Sequence, residues 1–291
     1  MNKKKQNKKI IGKTFVFIIV FILIVITRIE NTNNRKNIED NKHGSAERLE
    51  GTTIIYSIFA SDNNYTWNFK KKEDLDTRNS IRNNLRIATN YLSTEAKKYN
   101  KEAKFIYDFT KDENLMKEEE FKCDLENQTD HDNTIWKFIE KKIDVNNLID
   151  SYKADNIIFF VLINTDEKCK AITCTRDWYN EMPYPYEMVY LYNLDYGFIN
   201  PPSVYAHEML HTFGAFDYYE ENSDLNVTKK TVNYLKKHMP NDIMLTCSDT
   251  DGKYRYDVIT NEIGEMTAYY IGLQSKPNVV KELNLIPSQH K

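Results

Sequence analysis

Hydrophobic and polar positions follow several distinct rhythms along the chain. Residues 53–60, TIIYSIFA, are a β-branched and aromatic run that predicts a strand. In residues 77–100, Ile81, Leu85, Ala88, Leu92 and Ala96 recur at steps of three and four, the period of an amphipathic helix. AKFIYDF predicts the next strand, and NTIWKFIEKKI and NNLIDSYKA predict two short helices. DNIIFFVLINT is continuously apolar, as expected of a strand covered on both faces. KAITCTR and EMVYLYN are shorter strand candidates. Helices are then expected from Val204, over TVNYLKKH, and over NEIGEMTAYYIGL. No Gly/Ser-rich or Pro-rich break interrupts residues 51–275, so these elements read as one α/β (α+β) domain around a mixed, twisted sheet, with residues 276–291 as a tail.

The amino-terminal rhythm is different. Residues 1–13 carry six lysines, and residues 14–27, TFVFIIVFILIVIT, contain no charge. A basic flank before an apolar run reads as a segment with its N-terminus inside and the remainder outside. No A-x-A-like cleavage site follows, so an uncleaved signal-anchor is preferred over a removed signal peptide. Residues 28–50 are polar without an apolar period and read as a tether. The expected location is the cell membrane, single-pass, with the folded domain extracellular (secreted if the segment is cleaved). Abundant Lys, Asn and Ile suggest a bacterial source.

Composition narrows the function classes. The 291 residues are 41% hydrophobic and 13% aromatic, enough for a sizeable core. The formal charge of −3 becomes −9 once the six lysines of residues 1–13 are set aside, which excludes a basic nucleic-acid surface. Cys123, Cys169, Cys174 and Cys247 allow three disulfide pairings in an exported chain, and the close spacing of Cys169 and Cys174 suits a hairpin end. Nothing in the sequence fixes the oligomeric state.

The candidate chemistry lies in VYAHEMLHTFGAFDYYE, residues 204–220. Positions i and i+4 share a helix face, so His207 and His211 can point at a single ion while Glu208 projects beside it. Zinc takes about four ligands at roughly 2.0–2.2 Å, one of them water in a catalytic site, so a third protein ligand is required. Gly214 supplies a helix stop by its access to the left-handed conformation, and Asp217 follows three residues later with a carboxylate. An H-E-x-x-H pentapeptide alone also arises by chance on a solvated helix; the glycine and the acid at these spacings are what single this one out.

HEMLHTFGAFD resembles the elongated zinc signature of the metzincin metallopeptidases. Aspartate in the third-ligand position is similar to the snapalysin-like and immune-inhibitor-like bacterial branch. NDIMLTC places Met244 27 residues beyond Asp217 and is similar to the metzincin methionine turn. The order of elements fits from residue 53 to about 273, but only residues 207–217 and 242–246 match at motif level. The resemblance implies a metzincin-like domain with one catalytic Zn²⁺ on His207, His211 and Asp217, Glu208 as general base, and Gly214 and Met244 in support. The implied activity is a zinc metalloendopeptidase (a hydrolase) acting on a protein or peptide, with EMVYLYN as the edge strand that aligns it. Tyr218, Tyr219, Tyr254 and Tyr256 are candidates for stabilising the oxyanion, though Leu245 and Thr246 occupy the stretch where other metzincins often carry a tyrosine.

Three alternatives stay open. Glu262, in NEIGE, resembles the third ligand of thermolysin-like gluzincins. Asp249, Asp251 and Gly252 give a weak calcium hint, read more simply as a surface turn. A cell-surface binding or adhesion protein could keep a zincin fold without turnover. His43, His131 and His238 show no ligand spacing and read as surface residues.

Overall fold

A computed structural model describes residues 48–126, 131–176, 187–223, 226–275, 277–286 and 288. The expected anchor at 14–27 and most of the tether lie outside this set, and among the described residues no helix is long and apolar enough to cross a membrane.

The architecture is mixed α/β with a mostly parallel central sheet. Strand β1 (Gly51–Ser61) pairs in parallel with β2 (Ala103–Ile106) over its first half and with β3 (Met116–Glu120) over its second, on one side. On its other side lies β4 (Asn156–Ile163), followed by β6 (Glu187–Tyr192), both parallel. The far edge is β5 (Cys174–Arg176), which runs antiparallel to β6. Every residue of β4 and β6 is buried, their largely apolar sequences suiting interior parallel strands and the first residues Asn156 and Glu187 being buried with them.

Strand order corrects one expectation. EMVYLYN is not an edge strand: β6 is hydrogen-bonded on both sides, and among the described residues the shorter β5 is the outermost strand. A hydrophobic run reports burial but not neighbours, so the outer strand is the less apolar CTR. The full KAITCTR stretch does not become strand; only its last three residues pair.

Helix α1 (Lys72–Lys98) begins five residues before the helical stretch read from the sequence. Its first turn carries Glu73 and Asp74 and its last carries Lys97 and Lys98, matching the helix dipole at both ends. Burial of Leu85 and Leu92, both 0% exposed, contributes about 1.5–3 kcal/mol each. Helices α2 (His131–Lys142) and α3 (Val145–Tyr152) precede β4, and a short antiparallel hairpin of β7 (Leu194–Asp195) and β8 (Phe198–Ile199) follows β6. Helix α4 (Pro202–Thr212) packs against α1 and against β5 and β6. Helices α5 (Lys229–His238), α6 (Glu265–Tyr270) and α7 (Asn278–Glu282) complete the described chain.

The domain reaches further than its sequence boundaries. Leu49 is fully buried and its N–H donates to the Ile271 carbonyl at 2.9 Å. Within the expected tail, α7 buries Val279 and Val280. NEIGEMTAYYIGL is helical only from Glu265, because the preceding residues pair in extended form with 241–243.

Candidate metal centre

Helix α4 starts at Pro202, whose missing N–H costs nothing at a first turn. It ends at Thr212, where the Gly214 N–H returns to the His211 carbonyl at 2.8 Å. Gly214 has φ +99°, a conformation that a Cβ would strain, and it turns the chain back toward the helix. That turn delivers Asp217 to the face shared by His207 and His211.

Each imidazole is oriented by a main-chain oxygen. His207 Nδ1 lies 2.9 Å from the Ile243 carbonyl and His211 Nδ1 lies 2.8 Å from the Ala215 carbonyl. A carbonyl only accepts, so each Nδ1 carries the proton and each Nε2 presents a lone pair. The two Nε2 atoms are 3.2 Å apart, and Asp217 Oδ1 sits 3.1 and 3.2 Å from them. Asp217 Oδ1 is buried, with these two nitrogens as its polar neighbours. Three electron-pair donors converging on one point repel one another unless a cation lies between them. Tetrahedral ligands at roughly 2.0–2.2 Å from a zinc-sized ion are about 3.3–3.6 Å apart, close to the spacing seen here. His207, His211 and Asp217 are the group that could hold a metal ion among the described residues.

Without an ion the same trio favours protons on the imidazoles, which a bound metal would have to displace. Burial alone would push both imidazoles toward the neutral form, but Cys247 and Asp217 beside His207, and Asp217 beside His211, outweigh it and raise both pKa values. Burial also opposes ionisation of Asp217, yet the two imidazoles hold its carboxyl well below the usual range. The other Asp217 oxygen, Oδ2, accepts from the Tyr219 hydroxyl at 3.0 Å, which fixes the rotation of the carboxylate.

Glu208 stands outside this trio. It is largely buried, and the Thr175 hydroxyl, on edge strand β5, lies 2.8 Å from its Oε2 and 3.0 Å from its carbonyl oxygen. Glu208 and His207 both line an open cavity of about 590 Å³, within the range of ligand pockets.

Met244 is fully buried in a tight turn, where the Leu245 and Thr246 N–H groups return to the Asp242 carbonyl at 2.9 and 3.1 Å. The turn touches the centre through its backbone. Ile243 offers its carbonyl to His207, and the Met244 carbonyl accepts from Tyr218 N–H at 2.9 Å. Asp242, 1% exposed, clamps it from behind by accepting from Met244 N–H (2.8 Å), Gly264 N–H (2.9 Å) and the Thr267 hydroxyl (2.9 Å).

The other candidates separate clearly. Glu262 is exposed and lies in an extended bridge before α6, so the helix-borne glutamate ligand of the alternative reading does not form. Asp249 and Asp251 both bind the Arg255 guanidinium at 2.9 Å, which occupies the loop suggested for calcium. No disulfide joins the four cysteines: Cys169 is a buried thiol and Cys247 lines the cavity. Tyr218 is fully buried, Tyr256 donates to the Ile199 carbonyl at 3.3 Å, and Tyr219 and Tyr254 line the cavity. His238 packs against the Tyr234 ring on α5, away from the trio. Thr175, Asp195, Phe198 and Cys247 were missed by sequence reading, because long-range strand pairing and loop docking bring them to the site.

Comparison of the chain with protein-family models, with curated proteins and with solved structures finds no match.

Proposed function

We propose that the chain is a zinc-dependent metalloendopeptidase of metzincin type, held at the outer face of a bacterial membrane by its N-terminal apolar segment. The observation that carries this reading is the convergence of His207, His211 and Asp217 Oδ1 beside a carboxylate that belongs to an adjacent cavity rather than to the ligand group. A structural zinc site is closed by four protein ligands, whereas here three protein ligands converge and one of them, His207, borders an open cavity together with Glu208, which leaves room for water and substrate. That difference favours turnover over the adhesion-protein alternative. The mixed sheet with one antiparallel edge strand, the Asp242–Thr246 turn and the following α6 support the metzincin assignment.

Zinc held by the trio would supply Lewis-acid polarisation of the scissile carbonyl and acidification of a water. The protein's own part is proton transfer and alignment. Glu208 takes the proton of the attacking water on its carboxylate and passes it to the leaving amine nitrogen. Thr175 holds Oε2 of that carboxylate, leaving Oε1 to face the proton. An extended substrate pairs alongside β5, the outermost strand among the described residues, the role expected of EMVYLYN from the sequence. Among the tyrosines of the cavity wall, Tyr254 could meet a developing oxyanion, whereas the Tyr219 hydroxyl is given to Asp217.

The test is cleavage of a denatured protein by the full-length chain in detergent, with metal content measured in parallel. About one zinc per chain, cleavage abolished by a chelator and restored by zinc, and loss of at least a hundredfold in Glu208→Gln are expected. Cleavage that survives both chelator and Glu208→Gln overturns the proposal; bound zinc with no cleavage of any substrate pool returns the adhesion reading.

A further inference from the structure

We infer that Asp195 makes the cavity beside the metal centre a subsite for a basic side chain, lysine or arginine, of the substrate; the inference rests on the peptidase reading. The walls are aromatic and aliphatic: Tyr196, Phe198, Val204, Leu245 and Tyr254 line it together with Glu208. Into this apolar surround the β7–β8 hairpin places one carboxylate. Asp195 takes its donors from Thr173 alone, with the Thr173 N–H 2.9 Å from Oδ2, and no cationic side chain pairs with it among the described residues. Half-burial without a counter-charge raises its carboxyl above the usual range, a cost that an incoming cation would relieve.

The hairpin is built to hold that position. Asn200 donates to the Thr173 hydroxyl at 2.8 Å and to the Tyr192 carbonyl at 2.9 Å, and its own carbonyl accepts from Asn84 of α1 at 3.2 Å. The Tyr256 hydroxyl reaches the Ile199 carbonyl from the opposite loop at 3.3 Å. A lysine or arginine matches the surround on both counts. Its methylene stem packs on apolar walls, its charged head meets a carboxylate, and aromatic faces add cation–π attraction. A purely apolar residue would fill the cavity but strand Asp195, and an acidic one would add a second negative charge beside it. Discrimination of this kind is large because the unmatched partner leaves a partly buried charge unpaired.

Two measurements on the zinc-loaded full-length chain decide the matter. The first is cleavage of peptide pools identical except for lysine, norleucine or glutamate at one position beside the scissile bond. The kcat/KM ratio of lysine over norleucine should fall at least tenfold in Asp195→Asn, which keeps an acceptor for Thr173, and Asp195→Lys should move the preference to glutamate. The second is binding of the same peptides to Glu208→Gln by fluorescence anisotropy, where lysine peptides should bind at least tenfold more tightly than norleucine peptides only while Asp195 is present. Cleavage without an Asp195-dependent basic preference overturns this inference and spares the peptidase. Asp195-dependent binding of lysine peptides with no cleavage by the native chain does the reverse, and neither binding nor cleavage removes both.

Discussion

Asp217 carries two jobs on two oxygens. Oδ1 faces the histidines and Oδ2 is tied to Tyr219, so the carboxylate is held in one orientation. Asp217→Ala should lower zinc affinity at least a hundredfold, and Tyr219→Phe about tenfold, measured by competition with a chromophoric chelator; equal affinities for native and Tyr219→Phe would show that the hydroxyl does not orient the ligand. Thr175 makes the analogous contact to the general base. Thr175→Val should reduce kcat about tenfold with KM little changed, and Thr175→Ser should restore most of the loss, because only the hydroxyl orients Glu208. The pentapeptide, the glycine and the acid were legible from spacing because they are local to one helix and its exit turn. Thr175 was not, since its place beside Glu208 depends on β5 pairing with β6 and packing against α4.

Among the elements, the Asp242–Thr246 turn behaves as a clamp between the centre and α6. Burial raises the Asp242 carboxyl to about 6, against the opposing pull of Met244 N–H, the Thr267 hydroxyl, Gly264 N–H and His207. In the unfolded chain the group returns to its ordinary value of 3.8, so between about pH 4 and 6 the folded form holds the extra proton. Its contribution to stability is therefore greatest below pH 4, declines by about 3 kcal/mol as pH rises from about 4 through 6, and is flat above that. Urea unfolding of chelator-treated protein should show this decline in the native chain and lose it in Asp242→Asn; parallel pH profiles in the two would contradict the buried-carboxylate account. Helix and strand identities were largely readable from periodicity, as in α1 and β4. Strand order was not, because β6 and a true edge strand would share the same apolar pattern whenever a short polar strand covers one of them. The lost first turn of NEIGEMTAYYIGL has a similar origin: its extended pairing with residues 241–243 overrides local helical preference.

For the molecule as a whole, the stabilising cross-link should be the ion rather than sulfur. None of the four cysteines forms a disulfide, so dithiothreitol should leave the thermal midpoint unchanged. A chelator should lower it instead: a ligand present at a thousand times its dissociation constant contributes about 4 kcal/mol, or roughly 8–16 °C in a domain of this size. A midpoint that responds to dithiothreitol and ignores chelator would point to cross-links elsewhere and an empty centre.

The orientation of both imidazoles comes from carbonyl groups of Ile243 and Ala215, which every amino acid possesses. Exchanging either residue for another of similar bulk leaves the tautomers where they are, so point substitutions there are silent for this purpose. Inserting or deleting a single residue in either loop would instead slide the wrong oxygen into place. The centre is thus tolerant of spelling changes and intolerant of frame changes, and its geometry can persist while the letters around it drift.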